Sequence, residues 1–594
     1  MKESEDSIND NKIIHIKINH KVIDVPEGIT ILEAAHKAGA RIPTLCHLDL
    51  HDMKMVNNTA SCRVCMVELV DTRNNRNKLV PACVTKTSEG MEVLTNTLRA
   101  ITARRMSVEL LLSNHPNECF TCPKNTECEL QSLAAELGIR EIRWEGEKMD
   151  YPKDFSSGAI VKDPNKCIYC RRCETMCNEV QTCGILSGIG RGFNAFVGPA
   201  FNMPMVESSC TYCGQCVQVC PTAALTEVNQ TDKVWTALND PDKYVIVQTA
   251  PAIRVAIGEM FGMEAGSIVT GKMVSALRSM GFDAVFDTDF GADLTIMEEA
   301  AELIDRIKNS KTLPILTSCC PAWVKFIEHQ FPELLDIPST CKSPHIMFGT
   351  IAKTYLAEKR GIDPDKIVVV SIMPCIAKKA EAKRPELTKD HRNNVDIVVT
   401  TRELGYMIKE AGIEFESLPD SDYDSPMGES TGASVIFGTT GGVIEAAVRT
   451  AYEWITGEEL ANVEFSQLRG LKGLRTAEVQ VGNRTLTIGI ASGLGNAREL
   501  LETIRDGKTK YDAIEIMACP GGCIAGGGQP YHHGNYEIVK KRQEAIYQED
   551  RNKKLRKSHE NPEIFQLYKE YLGEPYGELA HKLLHTHYEK RERI

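Results

Sequence analysis

A doubled cysteine motif constrains this chain more than any other feature of its sequence. Two runs share the spacing CxxCxxCxxxC, and they consist of Cys167, Cys170, Cys173 and Cys177, then of Cys210, Cys213, Cys216 and Cys220. This spacing is typical of two 4Fe-4S clusters in which the fourth cysteine of each run binds the other cluster. The predicted ligand sets are therefore Cys167, Cys170, Cys173 and Cys220 for one cluster, and Cys177, Cys210, Cys213 and Cys216 for the other. Zinc is the alternative, but structural zinc sites usually pair two CxxC units and do not need this spacing.

Cysteine is also unevenly distributed along the chain. There are 22 cysteines in 594 residues, too few for a disulfide scaffold, and 16 of them lie between Cys46 and Cys220. In a reducing compartment, closely spaced cysteines are more often metal ligands than disulfide partners. We therefore expect a front part that is rich in metal sites and a larger back part that has few.

The composition narrows the class of protein further. Hydrophobic residues make up 42% and charged residues 25% of the chain, as in globular proteins, and the length suggests several domains. No apolar run is long enough to span a bilayer, and the acidic start Met1–Asn9 is unlike a signal peptide. The net charge of -12 argues against nucleic acid or an anionic membrane as a partner. These features predict a cytoplasmic protein.

The first module, at 12–96, has the pattern of a small α+β unit. Alternating isoleucines at 14–18, a turn and a second extended run at 22–25 predict a β-hairpin. Thr30 and Glu33 form a capping box for a helix that stops near Gly39. Four thiolates follow that suit a 2Fe-2S cluster, with zinc as the rival metal. They are Cys46, Cys62, Cys65 and Cys83.

A second ligand group lies at 97–140. It consists of His115, Cys119, Cys122 and Cys128. One imidazole with three thiolates can hold either a structural zinc ion or a 4Fe-4S cluster, and the position between two iron–sulfur segments favours the cluster. Such clusters carry single electrons, so the front part is predicted to form an electron relay that ends in the doubled motif at 155–235.

In the back part, three apolar extended runs each lead into cysteine. The runs are 313–317 before Cys319 and Cys320, 367–373 before Cys375, and 513–517 before Cys519 and Cys523. Continuous apolar runs followed by helices predict buried parallel strands, and sites in such sheets gather beyond the carboxyl ends of the strands. The three loops should therefore converge on one site. Its thiolates suit a further iron–sulfur cluster, with zinc as the alternative, and the glycines at 526–528 suggest backbone close to a bound group.

These loops carry a family resemblance. The segments TSCCPAW, MPCIAKKAE and MACPGGCIAGGGQP resemble the three signature loops of iron-only (FeFe) hydrogenases, and the front resembles the iron–sulfur domains of the same enzymes. The resemblance implies a multi-domain α+β and α/β protein. Its parts would be a β-grasp 2Fe-2S domain at 12–96, a His-Cys 4Fe-4S domain at 97–140, a two-cluster ferredoxin-like domain at 155–235, and an α/β catalytic domain with two parallel-sheet lobes at 243–594.

The resemblance also implies the cofactor of the back part, an H-cluster. In this family a 4Fe-4S cube is joined to a two-iron unit that carries carbon monoxide, cyanide and an azadithiolate bridge. The cube ligands would be Cys320, Cys375, Cys519 and Cys523, with Cys523 as the bridge to the two-iron unit. Lys378 matches the family lysine at one cyanide, and the backbone near Ala250 and Pro251 matches the contact at the other. Met373 and Met517 match apolar positions around the two irons, although methionine in a strand is more often ordinary core.

A proton path is implied in the same way. The matching residues are Cys319, Glu299, Ser339, Glu302 and Arg306. Glu299, Glu302 and Arg306 share one face of a predicted helix. Without the resemblance, a solvated acidic helix face is the simpler interpretation.

Three further residues stay outside these assignments. His345 lies where many members of the family have glutamine, near the expected cluster. Cys183 is most simply a buried structural thiol, and Cys341 has no assigned role.

The resemblance implies reversible interconversion of H2 with two protons and two electrons. The electrons would reach ferredoxin, NAD(P)H-linked flavin and iron–sulfur subunits of a larger complex, or both, and maturation proteins would supply the two-iron unit. Three alternatives exist: a formate dehydrogenase or complex I chain, a cluster-assembly protein without hydrogen turnover, and a sensory homologue. The TSCCP and GGGQP loops argue against the first, Cys319 with Lys378 against the second, and the unaltered Cys319 against the third.

Overall fold

The front of the chain is built on a mixed five-stranded sheet of strand order β2-β1-β7-β5-β6. The computed structural model of the protein describes residues 12–50, 55–57, 59–71, 76–309, 311–389, 392–508 and 510–592. The elements of this region are β1 (Ile13–Ile18), β2 (Lys21–Pro26), α1 (Ile31–Lys37), β3 (Leu48–Leu50), β4 (Met55–Asn57), β5 (Met66–Leu69), β6 (Lys78–Pro81) and β7 (Glu92–Leu94). The predicted hairpin is confirmed as β1 and β2, and Thr30 caps α1 in a capping box with Glu33.

One long helix, several short ones and two small antiparallel strand pairs make up the next region. Its elements are α2 (Leu98–Asn114), α3 (Glu129–Glu136), β8 (Ile160–Lys162), α4 (Arg172–Thr175), β9 (Ser187–Ile189), β10 (Phe196–Gly198), α5 (Gln215–Val219) and β11 (Leu225–Glu227). Strand β8 pairs with β11 and β9 with β10. Little regular structure separates the cysteines here, so loops hold most of them.

The back of the chain begins with a four-stranded parallel sheet of order β13-β12-β15-β18. From 231 to 410 the elements are α6 (Thr231–Leu238), β12 (Tyr244–Thr249), α7 (Thr270–Ser279), β13 (Ala284–Asp287), α8 (Thr288–Lys308), β14 (Ile315–Leu316), α9 (Pro321–Gln330), α10 (Pro344–Ile351), α11 (Ala357–Arg360), β15 (Ile367–Met373), α12 (Ala377–Glu381), β16 (Thr388–Lys389), β17 (Arg392–Asn393), β18 (Ile397–Thr400) and α13 (Thr401–Glu410). Strand β15 is almost wholly buried because helices cover both faces of the sheet.

A second four-stranded sheet, of order β14-β21-β20-β19, completes the back part. From 432 onward the elements are α14 (Gly432–Val435), α15 (Gly442–Thr456), β19 (Leu474–Val481), β20 (Arg484–Ser492), α16 (Leu494–Arg505), β21 (Ala513–Met517), α17 (Tyr536–Asn552), α18 (Pro562–Leu567) and α19 (Glu578–Leu584). Strands β14, β21 and β20 are parallel, but β19 pairs antiparallel with β20. The expected second parallel lobe therefore has one antiparallel edge strand.

The predicted run at 313–317 forms only a short strand, β14, whereas the runs at 367–373 and 513–517 match β15 and β21 residue for residue. Strand β14 is short because the chain leaves the sheet within three residues of Leu316 to begin the loop that carries Cys319 and Cys320.

The carboxyl-terminal segment returns to the first parallel sheet. Residues of α18 and α19, including Leu567, Leu583 and Leu584, belong to the same apolar core as β12 and β15. Beyond α19, His585 forms an antiparallel bridge with Cys341. Among the described residues, no helix is both long and apolar enough to cross a membrane.

Candidate functional site

The ends of strands from both sheets surround one cavity. Strands β12 and β15 of the first sheet lead into it, as do β14 and β21 of the second. The cysteines that line it are Cys319, Cys320, Cys375, Cys519 and Cys523. The structure therefore brings together the three cysteine loops that the sequence predicted to converge.

The sulfurs of this cavity are suited to a metal cluster. Burial raises the pKa of the Cys375 thiol to about 12 and also raises the pKa of Cys320 and of Cys519. Thiolates in such a place need a bound cation to stabilise them. The imidazole of His345, which also lines the cavity, faces Glu381 and Ser371 and is not turned toward the cysteines as a competing ligand. An iron–sulfur cube fits this donor set.

The rest of the cavity wall is largely apolar. The predicted residues Ala250 and Pro251 follow β12, and Met373 and Met517 end β15 and β21. All four line the cavity. Phe437, which the sequence did not single out, lines it as well.

Lys378 reaches the cavity from α12 and is held by two contacts. Its Nζ donates to the carbonyl oxygen of Cys319 at 3.0 Å and to Glu381 Oε2 at 2.7 Å. His345 Nε2 lies 2.6 Å from the same carboxylate oxygen. Burial opposes ionisation of Glu381, but Lys378 and His345 together lower its pKa to about 2. Burial lowers the pKa of His345 to about 4, so the neutral imidazole donates to Glu381.

The predicted proton-path residues lie side by side behind the cavity. Ser339 Oγ donates to Glu302 Oε2 at 2.8 Å, and Arg306 Nη2 donates to Glu302 Oε1 at 2.6 Å. Glu299 lies next to the Ser339 hydroxyl and interacts with the backbone of Ser318, which precedes Cys319. Burial and then the charge of Glu302 raise the pKa of Glu299 to about 8. Hydroxyl and carboxyl groups thus form a continuous chain from Arg306 toward the cavity.

The alternative interpretation, a solvated acidic face, is wrong. Glu299, Glu302 and Arg306 all lie on α8 and are 5%, 1% and 7% exposed. Burying two carboxylates next to each other is costly, because each disfavours the charge of the other. The charged residues on this helix face therefore need a role other than keeping the protein soluble.

The cysteines of the first front site also meet. Cys46, Cys62, Cys65 and Cys83 are all buried, although neighbours in this series lie up to 18 positions apart in the sequence. Cys46 contacts Cys62 and Cys83, and Cys65 contacts Cys83. The set fits a single 2Fe-2S cluster.

The second front site contains an unsatisfied imidazole. Nδ1 of His115 is buried and has no hydrogen-bond partner among the described residues, and burial lowers the pKa of this side chain to about 4. A neutral imidazole with a free nitrogen is the form that binds metals. Cys122 and Cys128 lie close enough to influence each other, and Lys166 Nζ lies 3.5 Å from Cys122 Sγ. This donor set fits a metal cluster.

The doubled motif forms two groups of four in the crossed arrangement that its spacing predicts. Burial raises the pKa of the Cys173 thiol, and among the cysteines Cys170, Cys220 and Cys167 add most to this increase. For Cys216 the cysteines that add most are Cys213, Cys210 and Cys177. Cys183 lines a small cavity beside the second group. Its Sγ lies 3.8 Å from Thr211 Oγ1.

The junction between this region and the cysteine-lined cavity could not be predicted from the sequence. Three buried glutamines of the two-cluster region donate to backbone carbonyls in or beside the loop that carries Cys519 and Cys523, at 2.8–3.0 Å. They are Gln181, Gln215 and Gln218. No sequence signal could have found them, since they contact residues more than 300 positions away.

The glycines at 526–528 allow close approach of backbone segments. A Cβ on Gly526 would lie 2.1 Å from the Pro374 carbonyl oxygen, and one on Gly527 would lie 2.7 Å from the Cα of Gly214. The glycines make room mainly for neighbouring backbone, and Gly526 is the one of the three that also lines the cavity.

Comparison with known families agrees with this organisation. The model described as iron only hydrogenase large subunit, C-terminal domain, matches 243–527, and the iron hydrogenase small subunit model matches 536–591. In the front, a 2Fe-2S iron-sulfur cluster binding domain matches 11–98, an iron-sulfur binding region of NADH-ubiquinone oxidoreductase-G matches 104–143, and a 4Fe-4S binding domain matches 204–226.

Individual relatives extend over the whole chain. The NADP-reducing hydrogenase subunit HndD of Solidesulfovibrio fructosivorans is 56% identical over 588 residues, or 98% of this chain and 100% of that protein. Iron hydrogenase 1 of Clostridium pasteurianum is 39% identical, covering 97% and 100%. The solved structure of apo FeFe hydrogenase HydA1 from Chlamydomonas reinhardtii is 43% identical with a TM-score of 0.56, covering 61% of this chain and 100% of that one. The chain belongs to the family of iron-only (FeFe) hydrogenases, with iron–sulfur domains at its front.

Proposed function

We propose that this hydrogenase interconverts H2 with two protons and two electrons at an H-cluster in the cavity between its two sheets, and that it exchanges the electrons with an NADP(H)-linked complex. One observation carries the proposal. Five cysteines and Lys378 converge on one largely apolar cavity, and a buried chain of proton-carrying groups leads away from it. When bound, the H-cluster supplies the two-electron chemistry of hydrogen at its two-iron part.

The cube would be held by four of the cavity cysteines, with Cys523 as the bridge to the two-iron part. These ligands are Cys320, Cys375, Cys519 and Cys523. Lys378 would donate to one cyanide, and the backbone at Ala250 and Pro251 would contact the other. Met373 and Met517 would exclude water from the two irons, since their side chains line the cavity.

Protons would move between the cavity and the outside through Cys319, Glu299, Ser339, Glu302 and Arg306. Cys319, Glu299 and Glu302 can bind and release protons, and Ser339 can rotate its hydroxyl, which is what a relay requires. Burial and the charge of Glu299 raise the pKa of Cys319 well above its usual value, so this thiol keeps its proton until a partner takes it. Arg306, at the far end, fixes the carboxylate of Glu302 by two hydrogen bonds.

Electrons would enter or leave through the front clusters, one 2Fe-2S and three 4Fe-4S. Their ligand sets are those at Cys46 to Cys83, His115 to Cys128, and the two crossed groups of the doubled motif. The cluster group that contains Cys213 would lie nearest the catalytic cavity, because Cys213 is close enough to Cys519 to help raise the pKa of its thiol.

The proposed partners follow from the relative whose name states NADP reduction, which matches this chain from end to end. Flavin-bearing and iron–sulfur subunits would dock at the front, and maturation proteins would deliver the two-iron unit in the cytoplasm. Ferredoxin is the second candidate partner, because the cluster motifs of the front suit electron exchange with ferredoxin as well as with a flavin-bearing subunit.

Two measurements test the proposal. Infrared spectra of the matured protein should show carbonyl and cyanide stretches, and a matured protein with neither would exclude an H-cluster. Isolation of the native protein without a tag should yield NADPH-oxidising subunits with it. A lone chain that ignores NADPH and reduces ferredoxin would instead leave the hydrogen chemistry in place and exclude the complex.

A further inference from the structure

A second group of ligating side chains lies behind the proposed proton path. Glu302, Cys341 and His585 are all buried, and one oxygen, sulfur or nitrogen atom from each lies within 4.8 Å of the other two. We propose that these three side chains, the Glu–Cys–His site, bind a thiophilic divalent cation of tetrahedral preference, of which Zn²⁺ is the type. The site is distinct from the cavity that holds the five cysteines.

The distances suit such an ion after a small contraction. Cys341 Sγ lies 3.9 Å from Glu302 Oε2 and 4.0 Å from His585 Nδ1. Sulfur and nitrogen ligands of tetrahedral zinc are about 3.5 Å apart, as follows from metal–ligand bonds of roughly 2.3 and 2.0 Å. Small side-chain rotations that shorten these two distances by about half an ångström would therefore bring the sulfur to its bonding distance.

The backbone already holds two of the ligands together. Cys341 and His585 face each other in an antiparallel bridge. The amide of Thr586 donates to the Thr340 carbonyl at 2.7 Å, and that of Lys342 donates to the Leu584 carbonyl at 2.8 Å. A cysteine and a histidine opposite each other on paired backbone are close enough to share one ion.

The imidazole of His585 is oriented as in protein zinc sites. Its Nε2 lies 2.9 Å from Glu298 Oε2, and Glu298 in turn accepts from the amide of Tyr576 at 3.0 Å and from the hydroxyl of Tyr568. A carboxylate that accepts from one ring nitrogen leaves the other nitrogen as a lone-pair donor, the arrangement common around metal-bound histidines. That nitrogen, Nδ1, faces Cys341 and accepts from the Thr340 hydroxyl at 2.7 Å, a hydrogen bond that the bound ion would replace. Three protein ligands leave one tetrahedral position for this hydroxyl or for water.

The surrounding charge favours a cation. Carboxylates of Glu298, Glu299 and Glu302 all act on Cys341, and Arg306 is the cation that faces them. Arg306 occupies Oε1 of Glu302, whereas Oε2 is the oxygen nearest Cys341, so both can be engaged at once. Binding would replace the thiol proton of Cys341, which is released to solvent, by a metal–sulfur bond.

The site lies close to the surface in spite of its burial. His581 is exposed and stacks on His585, with ring centroids 4.6 Å apart and an interplanar angle of 7°. A solvent-exposed imidazole one ring away offers a first contact for an incoming ion.

Occupation of the site would interrupt proton movement. This effect rests on the proposed proton path, whereas the binding of the metal does not depend on that path. The ion would take Glu302 Oε2, the oxygen that accepts from Ser339. Glu302 could then no longer pass a proton between Ser339 and the outer end of the proposed path, where Arg306 lies. The Glu–Cys–His site would therefore be an inhibitory metal site.

The binding test uses the matured holoprotein with ZnCl2, followed by dialysis, metal analysis and zinc-edge X-ray absorption. We expect one additional zinc per chain with a sulfur neighbour at about 2.3 Å and nitrogen or oxygen neighbours at about 2.0 Å. The variants C341A and H585A should lose this zinc, and C183A, which removes a thiol outside the site, should keep it. A zinc spectrum of the wild type without a sulfur neighbour would overturn the site, and this measurement needs no variant. Unchanged zinc coordination in C341A would overturn it as well.

The inhibition test compares hydrogen evolution with and without zinc, each preparation relative to its own zinc-free rate. We expect zinc to inhibit the wild type reversibly, with activity restored by chelator, and C341A to need at least about tenfold more zinc. Equal inhibition of both proteins would overturn the inhibitory role. Zinc bound through Cys341 without any inhibition would keep the metal site and would instead exclude proton transfer through Glu302.

Discussion

The front and back of this hydrogenase hold their metal ligands in opposite ways. In the front, most ligands of a cluster lie a few residues apart on loops between short elements, as Cys62 and Cys65 do. In the back, the cavity cysteines run from Cys319 to Cys523 and meet only because strands of two sheets end at one place. The front sites depend on local chain geometry, whereas the back site depends on the whole core.

The difference suggests a division of labour. Damage to one front site should change which electron partner can react and leave the hydrogen chemistry intact. Damage at the back should stop turnover with every partner. The following experiments test this separation.

The largest effect is expected for C319A. It removes the thiol nearest the cavity end of the proton path, and losing a positioned proton carrier costs about 100- to 10,000-fold in rate. Hydrogen evolution and oxidation should fall together with any electron carrier, while iron content stays near that of the wild type. C183A is the matched control. Full activity of C319A would remove this thiol from the relay.

The next effect is expected for Glu299 and is dependent on pH. Burial raises the pKa of its carboxyl group to about 8, so the group is protonated below that pH and ionised above it. On the proposed proton path this carboxyl group donates protons during hydrogen evolution, so the rate of evolution should decline as the pH rises through about 8. E299Q, which cannot pass a proton, should lose roughly 100-fold at all pH values. E299D should keep a measurable rate with a shifted profile, and a wild-type profile in E299Q would refute the assignment.

The front should respond differently. C62A removes one of the four buried thiols of the first site, and we expect loss of NADPH-linked electron exchange. Hydrogen evolution with a small artificial reductant should stay within about twofold of wild type, because the back core is untouched. The two assays on one preparation give the comparison. A parallel loss in both would show that front and back fold as one unit.

The smallest effect is expected for H345A. The imidazole shares one oxygen of Glu381 with Lys378, and one lost hydrogen bond is worth a roughly 2- to 10-fold change in rate. H345Q, which keeps an N–H donor, should change less. The cyanide stretches in the infrared should shift in H345A if Lys378 is displaced, and unchanged bands would show that His345 does not position it.

The sequence allowed the ligand groups to be predicted, because cluster motifs are local and their spacing is informative. The convergence of the three back loops could also be predicted, because apolar runs such as 367–373 indicate parallel strands. The burial of Glu299 and Glu302 could not be predicted from the residues, since the same spacing on a surface helix is common. Here the resemblance to known hydrogenases supplied what the pattern did not.

Contacts between distant segments were also beyond the sequence. The pairing of Cys341 with His585 joins positions 244 residues apart, and only the docking of the carboxyl-terminal segment creates it. For Glu381 a local signal existed, because it lies three residues after Lys378 on one short helix. Its second partner, His345, comes from another helix and had no such signal.

The contact between Gly527 and Gly214 has a consequence for the speed of the enzyme. A methyl group on Gly527 would approach the Cα of Gly214 to 2.7 Å and the Cys213 carbonyl oxygen to 2.9 Å, so the two loops touch without any side chain between them. Electron tunnelling weakens exponentially with distance, and one loop belongs to the relay while the other carries Cys523. On the proposed electron route the two glycines keep these loops in direct backbone contact, and alanine at position 527 would push the loops apart and lengthen the tunnelling distance.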